Sequence, residues 1–244
     1  MSAPPNHLHV GQAVDALRAG KHVVCEKPVA TTAADAQLLV DAAESAGRLV
    51  TVPSVYRYHP VVRELRSRVA TCGFGGRQLL HGSYLQDWLL SPESTSWRVD
   101  PAAGGASRVF ADIGSHWFDL VEWVAGVRVA ELLAETTTTV ADRPRARGPT
   151  FGNGAPSDAA RVTVTTEDAL AVVGRTTEGV LVSVTVSRVS AGRKNRLWRT
   201  PPQHRSLTNR EPQPPSAEGG KFRRRAAAEG QLRRRTVRSP PQRR

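Results

Sequence analysis

A few side chains stand where their type and spacing could organise chemistry. Asp112 and His116 lie four apart in the run FADIGSHWFDLVEWVAG. On a helix that begins at or just before Asp112 they share one face of the first turns, and Asp119 joins that face. His116 is the best candidate for a general base, because the positive end of a helix favours the neutral imidazole. Lys27 follows the β-branched run from His22 to Cys25. It is expected at the carboxyl edge of a parallel sheet, where ligands bind such folds. An amine whose proton affinity has been lowered can hold a hydroxyl and relay its proton. Each residue has a plainer alternative. Lys27 can also be read as a surface lysine after a strand, Asp112 as a helix cap, His116 as a satisfied interface histidine and Asp119 as a structural carboxylate.

The elements that must position these groups can be traced from hydrophobic spacing. Leu8, Val10, Ala13, Val14 and Leu17 recur at helical intervals, which predicts a helix over residues 6–19 with Asn6 as its cap and Gly20 as its left-handed stop. His22–Cys25 is a short strand. Thr32 and Asp35 open a second helix with Ala36, Leu39, Ala43 and Ala46 on its apolar face and Gly47 as its stop. Leu49–Pro53 is a further strand, and helix, strand, helix, strand with short connections implies a parallel α/β sheet. Beyond residue 59 the pattern changes. Leu79–Leu85, Val127–Val140, Asp168–Gly174 and Val180–Val189 are strand-like runs, several of them alternating, which suits a mostly antiparallel sheet with one face in solvent. One or two helices, Pro60–Ala70 and Ile113–Ala125, interrupt it, and Asp142–Ser157 reads as a loop. The fold expected is α/β plus α+β: part of a Rossmann-type domain over 1–58, then an open sheet domain over 59–198.

Composition narrows the function classes. The chain has 244 residues, 39% of them hydrophobic, enough for an ordinary core. Its net charge of +12 would ordinarily suggest a nucleic acid or an anionic membrane. Position argues otherwise: residues 199–244 hold 13 of the 34 basic residues and 3 of the 22 acidic ones, so the part before them is near neutral. That Arg- and Pro-rich stretch has too few apolar side chains to offset its ordering entropy and is expected to be a disordered tail. It lacks interleaved aromatics, so no specific nucleic-acid partner is expected. No apolar run reaches the length of a membrane span, and no leader pattern opens the chain, so no membrane and a cytoplasmic location are expected. The two cysteines, Cys25 and Cys72, are far apart and have no CxxC neighbour, so no metal site is expected.

Two segments carry a family resemblance. AGKHVVCEKP (Ala19–Pro28), preceded by PPNHLH (Pro4–His9), resembles the signature of the Gfo/Idh/MocA oxidoreductases. GGASRVFADIGSHWFDLVEWVAG (Gly104–Gly126) resembles the Gly-rich, D-x-G-x-H-x-x-D helix start of the same family's second domain. HGSYLQDWLL (His81–Leu90) and the Trp97–Arg98 pair are similar to its sugar or inositol dehydrogenase branch. The resemblance runs to about Trp198, and both blocks in order are a stronger signal than an EKP tripeptide alone.

The resemblance implies hydride transfer between NAD or NADP and a secondary alcohol of a sugar, inositol or polyol. Lys27, Asp112 and His116 would be catalytic. Asn6, His9, Glu26 and Lys27 would face the cofactor, with Asn6 and His9 also readable as cap and turn residues. Trp97, Arg98, Asp112, His116 and Asp119 would face the substrate. Hydride leaves a carbinol carbon only as its hydroxyl proton is removed, so a base and a donor must converge on the alcohol oxygen. The intact family member would be a homo-oligomer. Family members open with a G-x-G-x-x-G turn that holds the pyrophosphate, whereas this sequence begins at PPNHLH. The expectation is therefore a chain truncated at an internal Met1, with a frameshifted stretch from Arg199 and impaired activity. The alternatives are an NAD-dependent glycosidase of the same family, and a non-catalytic remnant whose basic tail binds polyanions.

Overall fold

The computed structural model describes residues 4–71, 75–145, 152–153 and 160–192. Cys72, Trp198 and the basic stretch 199–244 lie outside the described residues, as do the expectations attached to them.

Helix α1 (His9–Arg18) follows a turn of 3-10 helix over Asn6–Leu8 and ends before Gly20, whose φ of 74° is the left-handed stop its type predicts. Strand β1 (Val23–Val24) leads to α2 (Ala33–Ala46), and β2 (Val50–Thr51) returns parallel to β1, with Val23 opposite Val50. Thr32 caps α2 by accepting from the Asp35 amide at 3.0 Å. Ala13 and Leu17 of α1 pack against Leu39 of α2, with Val10, Val14 and Ala43 around them. This is the parallel α/β arrangement that the spacing predicts. One detail differs. Asn6 does not cap α1; its side-chain amide donates to the Gly104 carbonyl at 2.9 Å, a tertiary bond that no local pattern encodes.

The second part begins with α3 (Pro60–Thr71) and β3 (Leu79–Leu85), continues through the short β4 (Ser94–Thr95) and the single turn α4 (Pro101–Gly104), and reaches α5 (Ser115–Ala125) by way of a π turn over Phe110–Gly114. Strands β5 (Val129–Thr137), β6 (Asp142–Pro144), β7 (Gly152–Asn153), β8 (Arg161–Thr163), β9 (Ala169–Thr176) and β10 (Leu181–Ser187) follow. The main sheet has the order β3-β10-β9-β5. β9 runs antiparallel to both neighbours, whereas β10 and β3 are parallel, so the sheet is mixed. The stretch read as a loop from Asp142 contains β6, paired with β8, and β7, paired with β4.

Alternation decides the faces of the main sheet. Leu80 and Tyr84 of β3, Leu170 and Val172 of β9, and Val182, Val184 and Val186 of β10 point inward against Trp117, Val121 and Ala125 of α5. Val173, Leu181 and Leu133 remain exposed on or beside the other face. On its far side α5 meets α3, with Val62 packed against Leu120 and Val124. Both faces of α5 are therefore held, which leaves its N-terminal end as a rigid mount. Among the described residues, no helix is long and apolar enough to cross a membrane.

Candidate active site

Lys27 leaves the carboxyl end of β1 through Cys25 and Glu26, and its peptide bond to Pro28 is cis. Cys25 is a buried, free thiol, and the apolar setting raises its proton affinity. His9 anchors this loop from α1: its Nδ1 lies 2.7 Å from the Pro28 carbonyl oxygen and its Nε2 3.1 Å from that of Pro4. Asn6 and His9 are thus both committed to backbone carbonyls. These bonds favour the turn and anchoring alternative over direct contact with a cofactor. Glu26 is exposed, and its carboxylate accepts from the Lys27 amide at 3.3 Å.

From the second part comes Asp112, in the π turn, and one turn later His116, the second residue of α5. Two contacts hold the start of this segment. The Glu167 carboxylate accepts from the Arg108 and Phe110 amides at 2.9 and 3.0 Å and from the Ser107 hydroxyl at 2.8 Å. Gly105, at φ 97°, lies so close to Thr31 that an added Cβ would stand 3.3 Å from it. Gly105 therefore stands where the two halves of the chain approach, in a backbone conformation that favours glycine.

The two segments meet. Lys27 Nζ donates to the Asp112 backbone oxygen at 2.6 Å and to its Oδ1 at 3.0 Å. Arg98, whose guanidinium lies 4.3 Å over the Trp97 ring, places its Nε 3.4 Å from the same Oδ1. Arg188 pairs with Oδ2. Burial lowers the proton affinity of Lys27 to about 8, with the charges of Arg98 and Arg188 acting in the same direction. His116 packs edge-on to the Tyr56 ring at 4.9 Å, and Tyr56 shares a 2.7 Å hydrogen bond with the buried Tyr84. Burial, with the Lys27 charge acting in the same direction, depresses the His116 imidazole to about 4. A neutral histidine is what the helix argument anticipates, but the main cause is burial.

Asp119 is placed differently. Arg57 takes both its oxygens, with Nε on Oδ2 at 2.9 Å and Nη2 on Oδ1. The geometry favours the structural alternative for this residue. Trp117 of α5 is fully buried in the core.

The residue that sequence reading missed is Arg188. Its signal was available: Val182, Val184 and Val186 alternate inward along β10, and the next position of that series is Arg188. An arginine at the end of a strand reads as solvated by default, and this one has no exposed side-chain surface.

With respect to a nicotinamide cofactor, the described residues offer a partial fit. β1, paired in parallel with β2, leads from its carboxyl end to Glu26 and Lys27, at the edge where such folds bind ligands. Among the described residues, no strand runs through a G-x-G-x-x-G turn into a helix, which is the usual cradle for pyrophosphate.

Comparison with known proteins adds independent findings. Residues 3–54 match the oxidoreductase family with an NAD-binding Rossmann fold, and residues 62–201 match the GFO/IDH/MocA C-terminal domain. Levoglucosan dehydrogenase of Pseudarthrobacter phenanthrenivorans is 31% identical over 196 residues, which are 79% of this chain and 50% of that protein. The structure of an oxidoreductase domain protein from Kribbella flavida aligns with a TM-score of 0.70 at 36% identity, over 80% of this chain and 49% of that one. A levoglucosan dehydrogenase structure in complex with NADH and L-sorbose aligns with a TM-score of 0.71 at 30% identity, over 80% and 49% respectively. The chain thus spans about half the length of these relatives.

Proposed function

The chain belongs to the GFO/IDH/MocA family of oxidoreductases, and from that premise we propose that it carries the proton-handling site of an NAD(P)-dependent dehydrogenase acting on a secondary alcohol of a sugar or polyol. The observation that carries this reading is the convergence on Asp112 of an amine from the first sheet, immediately before a histidine on the same helical segment. The division at residue 58 into a cofactor part and a substrate part belongs to the same proposal.

The chemistry follows from the proton affinities. Removal of the hydroxyl proton is fastest when the base has an affinity near the working pH. Lys27, lowered to about 8, meets that condition better than His116 at about 4. The role of base therefore passes from His116, favoured by residue type and helix position, to Lys27. Neutral Lys27 takes the substrate hydroxyl proton. Neutral His116 accepts or donates a hydrogen bond at the same oxygen and holds it in place. The charge of Lys27 depresses His116, so the pair carries one proton rather than two. Asp112 receives the resulting ammonium through the bond it already makes. A bound nicotinamide, next to Glu26 and Lys27, would supply the hydride acceptor. Arg98 and Trp97, half-buried beside Asp112, are suited to the polar and apolar faces of a sugar ring.

The test is reduction of NAD or NADP by the full chain with a panel that includes levoglucosan, L-sorbose and inositol. Activity is expected with at least one polyol, and Lys27→Met is expected to lower kcat by a factor on the order of a hundred or more. A Lys27→Met chain as fast as the wild type would remove Lys27 from the mechanism.

A further inference from the structure

The Arg188 guanidinium is the least accounted-for group in the molecule. Its side chain has no exposed surface, and its Nε and Nη1 have no hydrogen-bond partner among the described residues. A buried cation with unmet donors is costly and persists only where a counter-charge holds it. Among the described residues that counter-charge is Asp112, paired through Oδ2. Three features lock the arginine in place. It continues the inward face of β10 after Val186, its amide donates to the Asp168 carbonyl at 3.0 Å, and its guanidinium lies 4.9 Å over the Trp88 ring.

We propose that Arg188 is a positioning residue that clamps the Asp112 carboxylate from behind, so that its other oxygen faces Lys27, and that it keeps a second positive charge beside the Lys27 amine. The proposal rests on the reading of Lys27 and Asp112 as the working pair. Asp112 divides its oxygens between two neighbours: Oδ1 serves Lys27 and Arg98, and Oδ2 serves Arg188. Without Arg188 the carboxylate is free to rotate and to give both oxygens to Lys27, which strengthens the amine's hold on its proton. Loss of the like charge acts in the same direction. The groups around Lys27 are Glu26 on its own loop, Asp112 and His116 on the helix segment, and Arg98 and Arg188 on their respective strand ends and turns. Those around Arg188 are Asp112, Lys27, Arg98, Arg108 and Tyr84. In this account Arg188 acts on the reaction through its neighbours and does not touch the substrate.

The chain has only four lysines, Lys21, Lys27, Lys194 and Lys221, so a titration of the ε carbons by NMR on lysine-labelled protein can isolate Lys27, with Lys27→Arg providing the assignment. In the wild type Lys27 is expected to titrate at about 8, below the ordinary lysine value. Arg188→Gln is expected to move it upward, towards that value. Arg188→Lys, which keeps the charge, is expected to leave it depressed. The proposal is overturned if Arg188→Gln leaves Lys27 where it was, or if both variants move it equally, since simple loosening of the packing would do the latter. Should Arg188→Gln fail to fold, Arg188→Met, which keeps the stem and removes the charge and the donors, takes its place with the same two outcomes. No cofactor or substrate enters this experiment. A chain without dehydrogenase activity can therefore pass it, and an active enzyme can fail it.

Discussion

Lys27 and His116 are displaced in the same direction, and the consequence is a pH profile with one working limb. A base must be neutral to accept the hydroxyl proton. Below about 8 the Lys27 amine is increasingly protonated, so the rate of alcohol oxidation is expected to fall about tenfold per pH unit and to level off above that value. His116, at about 4, is already neutral across this range and adds no second limb to it. A pH series of kcat/KM for the best polyol checks this, and a midpoint near the ordinary histidine value would return the role of base to His116. At this scale the candidates are legible: type, spacing and family resemblance point to Lys27, Asp112 and His116. Their roles were not legible, because the order of proton affinities depends on burial and on cations brought in from residues 98 and 188.

The elements that mount these residues are specified locally to different degrees. α1, α2 and α5 stop at Gly20, Gly47 and Gly126, all at positive φ, as residue type predicts. The π turn over Phe110–Gly114 lies mostly ahead of the helix that the spacing predicts over Ile113–Ala125, whose period does not encode it. β9 shows how closely two elements can approach: a Cβ built at Gly174 would stand 2.4 Å from the Glu131 backbone oxygen of β5. Gly174→Ala is accordingly expected to push β5 off the sheet and to cost about 1–3 kcal/mol, read from urea denaturation. Stability equal to the wild type would mean that the β5 edge yields without penalty. The alternation of β10, extended by one step, already pointed Arg188 inward; the default expectation that arginine is solvated concealed it.

At the scale of the whole molecule, a buried polar hub joins the sheet to the segment that carries the site. Asp168 pairs with Arg108 and Arg143, all three side chains without exposed surface, and accepts from the Thr139 and Val140 amides at 2.9 Å. Arg143 also donates to the carbonyls of Leu89, Ser91 and Ser94. Replacing the carboxylate with an amide leaves two buried guanidinium groups short of a counter-charge. Asp168→Asn is therefore expected to destabilise the fold by about 3–5 kcal/mol, measured by reversible unfolding. A loss of only a few tenths would mean that the hub is hydrated.

The sequence by itself determined the local elements, the change of style near residue 59 and the candidate side chains, because helix stops, alternation and motif spacing are properties of neighbouring residues. Only the tertiary structure decided which of those side chains share an oxygen. The bond from Lys27 to Asp112 spans 85 positions, and those from Asn6 to Gly104 and from Arg108 to Asp168 span 98 and 60. Contacts of that range arise from the packing of whole elements, which also sets the burial that places Lys27 and His116 on either side of neutral pH.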